Sequence, residues 1–138
     1  PNAWRHFRIL STRLRPPKIF FCPAESDTER SAASNFMAFN NSNVSYFVSL
    51  ANYRTATKTF LAGDRNITNG TPPKNGVLEL PATRPTGWTR EMHKEIGNVL
   101  LTDGSVQQTS RFRLQELMAS AGTATNRILL PVLNSSPP

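Results

Sequence analysis

The sequence has one cysteine and no long apolar run, and each absence excludes a class of protein. Cys22 is the only cysteine among the 138 residues, so no intramolecular disulfide can form and a disulfide scaffold is excluded. No stretch of about eighteen apolar residues is present, as a membrane-spanning helix would require. The chain begins with Pro1 rather than methionine, and we therefore expect it to be a fragment or a processed product.

Sequence motifs for cofactors, metals and catalysis are also missing. The chain contains neither a G-x-x-x-x-G-K-[ST] nor a G-x-G-x-x-G nucleotide-binding motif, and it has no H-E-x-x-H zinc motif. Its three aspartates do not cluster as in a calcium loop. Cys22 is expected to be a small buried hydrophobe. Cysteine catalysis with His6 or His93 has no supporting signature around these residues. We therefore expect no enzyme activity, no cofactor and no metal site.

Acidic residues are few, and the chain is basic. Sixteen Lys and Arg against nine Asp and Glu give a net charge of +7. This balance favours an anionic partner such as nucleic acid or acidic polysaccharide, and a solvated basic surface explains it equally well. A binding module would need the arginines of two predicted helices on one side of the molecule. These arginines are Arg5, Arg8, Arg13, Arg111 and Arg113.

The apolar spacing predicts an α+β fold in a single domain, 1–138. Helical periodicity predicts short helices at 2–14 and 111–121, with Gly122 after the second. Extended apolar or alternating runs predict strands, and Pro131 should confine the last run to a sheet edge or a non-strand role. These runs lie at 18–24, 44–50, 58–62, 77–80, 98–108 and 125–133, before a tail at 134–138. We expect a small antiparallel sheet of about four to five strands, flanked by the helices.

The segment 98–108 carries the strongest hairpin signal. Asp103-Gly104 stands between two strand-like runs, and this dipeptide favours a two-residue type I′ turn. With that turn, Leu101 would pair with Val106. Val99, Leu101 and Val106 would then share one buried face.

The same segment resembles the H-X9-DG motif of prepilin-type, processing-associated proteins. Nine residues separate His93 from Asp103 within HKEIGNVLLTDGSV. Two further stretches, at 11–27 and at 60–68 (FLAGDRNIT), are similar to passages of the same group. The motif and structural residues that the resemblance marks are His93, Gly97, Asn98, Asp103 and Gly104.

The resemblance implies a pilin-like or pseudopilin-like globular head of the bacterial cell envelope, on its periplasmic or extracellular side. Such a head follows an N-terminal helix that enters the inner membrane and is processed by a prepilin peptidase. The function implied is non-enzymatic: a structural subunit, similar to a type II secretion pseudopilin or a type IV pilin, in a filament for protein secretion or adhesion. Its partners would be other pilin or pseudopilin subunits. The alternative is a basic module that binds DNA or acidic polysaccharide.

Several residues near the motif have two interpretations. His93 could contact a partner subunit or ligand beside Trp88 and the Asp103 turn, or it could hydrogen-bond to backbone or pack on Trp88. Asp64 and Arg65 could be ligands or contacts, or they could cap a turn, in which Asp accepts backbone N–H groups. The structural interpretation is the more common one for each of these residue types.

Overall fold

The central feature of the computed structural model, which describes residues 2–50 and 58–133, is an antiparallel β-sheet. In the described residues this sheet has six strands in the order β4-β8-β1-β2-β6-β7, and a separate pair joins β3 to β5. The α+β class is confirmed, and the main sheet has more strands than the four to five predicted. The strands are β1 Tyr46–Ser49, β2 Phe60–Asp64, β3 Ile67–Thr68, β4 Val77–Pro81, β5 Gly87–Trp88, β6 Gly97–Leu101, β7 Val106–Thr109 and β8 Thr125–Leu129.

Two helices cover opposite faces of this sheet, as the alternation of side chains along β1 shows. Phe47 lies in one apolar cluster with Leu114 of helix α2 (Arg111–Ser120). Its strand neighbours Tyr46 and Val48 pack instead in a second cluster with Phe7 of helix α1 (Ala3–Arg8). The sheet therefore has apolar cover on both sides, with α2 on one and α1 on the other.

Helix α2 agrees with its prediction, whereas the first helix is shorter than predicted. Ser110 caps α2, since its Oγ accepts a hydrogen bond from the Arg113 backbone N–H. Gly122 follows with φ +68°, a left-handed conformation that favours glycine at a helix end. The predicted helix 2–14 is α-helical over Ala3–Arg8 and continues as a 3₁₀ turn, Ile9–Thr12.

The hairpin forms, but its predicted register is wrong by one residue. Val106 pairs with Leu100 rather than Leu101. Gly104 alone of the Asp103-Gly104 pair has positive φ (+83°), and the Gly104 N–H donates to the Leu101 carbonyl while the Leu101 N–H donates to the Ser105 carbonyl. This is the pattern of a three-residue loop with a glycine bulge, not of a type I′ turn. Val106 is consequently 67% exposed.

Two further strand predictions are wrong. Segment 18–24 pairs with no described strand, because Pro17 starts a 3₁₀ helix, Pro17–Phe20, before Cys22. Strand β8 lies inside the sheet between β4 and β1, since it ends at Leu129, before Pro131. The strands predicted at 44–50, 58–62 and 77–80 are present with shifted ends, and the predicted tail 134–138 lies outside the described residues.

Candidate metal centre

Three side chains from distant parts of the sequence meet on the α1 face of the sheet. Cys22 Sγ lies 3.3 Å from His93 Nε2, and Asp64 Oδ2 lies 3.5 Å from the same nitrogen. The donor atoms of all three residues lie within 4.8 Å of one another. Cys22 and Asp64 are buried, whereas the His93 side chain is 23% exposed. We name this group the Cys-Asp-His cluster.

Asp64 is held in place by β6 rather than by a local turn. It is the last residue of β2 and stands opposite Tyr46 of β1. The backbone N–H and the side-chain Nδ2 of Asn98 both donate to Asp64 Oδ2, at 2.7 and 2.9 Å. The motif asparagine therefore orients the carboxylate. The predicted turn-capping role of Asp64 is replaced by a contact between neighbouring strands.

The loop that carries His93 has a constrained backbone. His93, Lys94 and Glu95 have φ values of 51°, 53° and 67°, a left-handed conformation that costs free energy in residues other than glycine. Asn66 stabilises this loop from inside: its buried Nδ2 lies 3.0 Å from the carbonyl oxygens of both Thr89 and Met92 and 3.3 Å from that of Ile96. These contacts hold the backbone on both sides of His93, whose imidazole Nε2 lies against Cys22 and Asp64.

A buried ion pair anchors the loop that carries Cys22. The Arg65 guanidinium donates to both carboxylate oxygens of Glu25, and Ser45 Oγ donates to Glu25 Oε2 at 3.0 Å. Arg65 also contacts Glu91 at 3.2 Å, so it joins the Cys22 loop to the His93 loop. Burial would raise the pKa of Glu25, but the hydrogen bonds from Arg65, the Asp27 backbone and Ser45 lower this pKa below its ordinary value. Arg65 is therefore a structural residue here.

The environment of the cluster disfavours negative charge on free Cys22. Burial raises the pKa of the Cys22 thiol, and the charges of Asp64 and Glu25 act in the same direction, against a lowering hydrogen bond from the Ala24 backbone. Burial, with the nearby Cys22 and Asp64, likewise raises the pKa of Tyr46 to about 12. Without a cation, the thiol is a poor nucleophile at neutral pH.

The geometry also differs from that of a catalytic triad. In a triad, the nucleophile and the carboxylate contact different nitrogens of the histidine ring, which relays a proton between them. Here Cys22 and Asp64 both approach Nε2 of His93. Three donor atoms that all lie within 4.8 Å of one another suit the binding of a cation rather than a proton relay.

The remaining motif residues serve the fold. Trp88 is 7% exposed and packs on Gly97, where a Cβ would lie 2.5 Å from two atoms of the indole ring. This glycine is required by the close approach of the ring. Asp103 Oδ1 accepts hydrogen bonds from the backbone N–H and the Oγ of Ser105 within the turn. Trp88 thus lies in the core and not on an interaction surface.

The predicted basic surface is divided between the two faces of the sheet. Arg5 and Arg8 of α1 each stack on Trp4, with guanidinium carbons 5.6 Å from the ring centroid. On α2, the Arg111 guanidinium lies over Phe112, and Arg113 pairs with Glu116 at 3.1 Å. The arginines of the two helices do not form one patch, because α1 and α2 cover opposite faces. Arg13 is exposed beyond α1.

Sequence reasoning treated the members of the cluster separately and missed that they meet. Cys22 was expected to be an inert hydrophobe, and no metal site was expected. Seventy-one positions separate Cys22 from His93, and neither lies in a strand or helix whose periodicity would place it. The sequence contains one chemical signal for the cluster: Cys22, the single cysteine, is followed within seven residues by the acidic residues Glu25, Asp27 and Glu29.

No described helix is long and apolar enough to cross a membrane. Comparisons of the chain with protein-family models, with curated proteins and with solved structures found no match.

Proposed function

We propose that this chain is a non-enzymatic structural subunit, resembling a pseudopilin or type IV pilin, of a filament in the bacterial cell envelope. The sequence resemblance at 93–106 motivates the proposal. Other subunits of the filament would be its partners, and an N-terminal helix would connect it to the inner membrane. A prepilin peptidase would process the segment that contains this helix.

The observation that carries this proposal is an apolar surface on the N-terminal segment. Ile9 is 74% exposed, Leu10 is 41%, Leu14 is 39% and Ile19 is 43%. We name these four residues the N-terminal apolar strip. Exposed apolar side chains that form a contiguous patch mark protein–protein interfaces, and these four lie within eleven residues of the chain. The strip begins directly after α1, whose Ala3 and Phe7 are buried in the domain, so α1 anchors the start of the strip. In a filament, a second copy of the chain would cover this strip.

The experiment expresses the chain in its native host, together with any coding sequence that precedes Pro1. The subunit proposal predicts that the protein sediments with membranes and is shortened only when a prepilin peptidase is present. A photo-crosslinking residue at position 9 should then join two copies of the chain. The same residue at Met37, which is 92% exposed on another segment, is the matched control and should give no such product. A protein that stays in the soluble fraction as a monomer would overturn the proposal.

A further inference from the structure

We propose that Cys22, Asp64 and His93 bind one zinc ion, with a water molecule as the fourth ligand. The inference is independent of filament assembly, because it depends only on donor atoms inside one chain. Zinc sites with three protein ligands and an open position are an established arrangement in proteins. The separations of the donor atoms, their chemistry and the hydrogen bonds to the ligands favour this assignment.

Two of the three separations between the donor atoms fit a tetrahedral ion, and the third, between Cys22 and Asp64, is no longer than 4.8 Å. With a Zn–S distance of about 2.3 Å and Zn–N and Zn–O distances of about 2.0–2.1 Å, tetrahedral geometry places S and N about 3.6 Å apart and N and O about 3.3 Å apart. The structure has 3.3 Å between Cys22 Sγ and His93 Nε2, and 3.5 Å between His93 Nε2 and Asp64 Oδ2. The ligands therefore require shifts of only a few tenths of an ångström along these two edges.

The identity of the donors selects zinc over the hard cations. Calcium and magnesium prefer shells of oxygen ligands, whereas this cluster supplies one sulfur, one imidazole nitrogen and carboxylate oxygen. A thiolate and a carboxylate together neutralise a divalent ion, so the buried site would carry no net charge once the ion is bound. Water can reach the fourth position from the side of His93, the most exposed of the three ligands.

The groups around the ligands resemble the outer shell of a metal site. Asn98 donates twice to Asp64 Oδ2, and the Ala24 backbone N–H donates to Cys22 Sγ at 3.4 Å. Hydrogen bonds of this kind fix ligand orientation and tune affinity in metalloproteins. The left-handed backbone at His93 is also held by the contacts of buried Asn66, so the imidazole is aimed at the other donors before the ion binds.

The first experiment titrates purified, metal-free protein with Co²⁺, which replaces zinc and reports its ligands by absorption. We expect one Co²⁺ per chain, a tetrahedral ligand-field spectrum, and a thiolate-to-cobalt charge-transfer band in the near ultraviolet. Zn²⁺ should abolish these bands by displacement and should raise the thermal midpoint further as its free concentration rises. Cobalt binding without the thiolate band, or no binding, would overturn the proposal, and this test needs no variant to fold.

Variants then assign the ligands. Cys22→Ser should abolish the charge-transfer band, and Cys22→Ser and His93→Asn should each weaken Zn²⁺ binding more than 100-fold, beyond the roughly 10–100-fold effect of outer-shell changes. Asparagine is chosen at 93 because it tolerates positive φ. His6→Asn is the matched control, since His6 is the other histidine and is exposed on α1, and it should bind Zn²⁺ like the wild type. Full affinity in a folded Cys22→Ser protein, or loss of binding in His6→Asn, would contradict the assignment.

Discussion

The contact between Trp88 and Gly97 gives the sharpest test of how the motif segment supports the fold. Gly97 begins β6, and the Trp88 ring lies directly against it. In the Gly97→Ala variant, the new Cβ would lie 2.5 Å from Cε3 and from Cζ3 of Trp88. Carbon atoms in contact prefer separations of about 3.5–4.0 Å, so the ring would have to move by about 1 Å or more. Trp88 belongs to the main apolar cluster and is 7% exposed, so little space is available for that movement.

The expected loss of stability follows from two opposing effects. Overpacking of a core costs about 1–3 kcal/mol, and the rigid indole ring places Gly97→Ala at the upper end of that range. Alanine also reduces the conformational entropy of the unfolded chain, which returns about 0.4–1 kcal/mol. The net decrease in the free energy of unfolding is then about 2 kcal/mol. For a chain of this size, that corresponds to a fall of about 6–8 °C in Tm.

Urea and thermal denaturation in chelator-containing buffer measure this loss without a contribution from bound metal. Gly87→Ala is the matched control: its Cβ would meet the flexible Arg111 side chain at 3.2 Å, and we expect a change within about 0.5 kcal/mol. In a Trp88→Leu background, the cost of Gly97→Ala should fall below about 0.5 kcal/mol, because the ring that causes the clash is gone. An equal cost of Gly97→Ala in both backgrounds would refute the explanation.

Three further predictions concern the ion pair, the hairpin and the metal site. Glu25→Gln should destabilise the protein by about 1–3 kcal/mol at pH 7, because it removes the buried charge that pairs with the Arg65 guanidinium and leaves only the more exposed carboxylates of Glu91 and Asp27. The folded-state pKa of Glu25 is lowered, so this stabilisation is present above its unfolded-state pKa and is lost as the pH falls through the folded-state pKa. Urea denaturation of both proteins should therefore show that the difference in their free energies of unfolding shrinks below about pH 4. A difference that does not change with pH would contradict this explanation. Leu101→Ala should cost about 2–5 kcal/mol and Val106→Ala less than about 0.5 kcal/mol in urea denaturation, whereas similar costs would support the register predicted from the sequence. Asn98→Ala should weaken Zn²⁺ binding about 10–100-fold in competition with a chelating indicator, and unchanged affinity would show that Asn98 does not support the site.

Elements whose local signals agreed could be predicted from the sequence. Helix α2 has a buried apolar stripe and a glycine after its end, and these two signals gave the correct limits within one residue. The hairpin was located by Asp103-Gly104, but its register was not, because that dipeptide also fits a three-residue loop with a bulge. The choice depends on packing: in the observed register Leu101 is buried at 1% exposure and Val106 faces solvent.

Features that depend on tertiary contacts could not be predicted. The apolar run at 18–24 resembles a strand, but Phe20 enters the second cluster from a 3₁₀ turn, which buries it without pairing. The run at 125–133 was expected at a sheet edge or outside the sheet because Pro131 cannot donate to a ladder, yet strand β8 ends two residues before this proline. The Cys-Asp-His cluster needs the Cys22 loop, the end of β2 and the His93 loop together. Sequence periodicity indicates local structure and does not show which distant segments come together in the fold.

The spacing between His93 and Asp103 has a structural reason in strand β6. Gly97 at the start of the strand contacts Trp88, and Asn98 beside it holds Asp64, whereas the Asp103 turn follows the other end. Four steps of about 3.4 Å separate Gly97 from Leu101 by about 14 Å. Side chains alternate between the two faces of a strand, so removing one residue from β6 would shift its register. Either its buried side chains or the Asn98 side chain that contacts Asp64 would then point to the wrong face. The histidine and the Asp-Gly turn are therefore two separate places on the molecule, joined by a strand of fixed length, and the histidine end is the one that carries the metal donors.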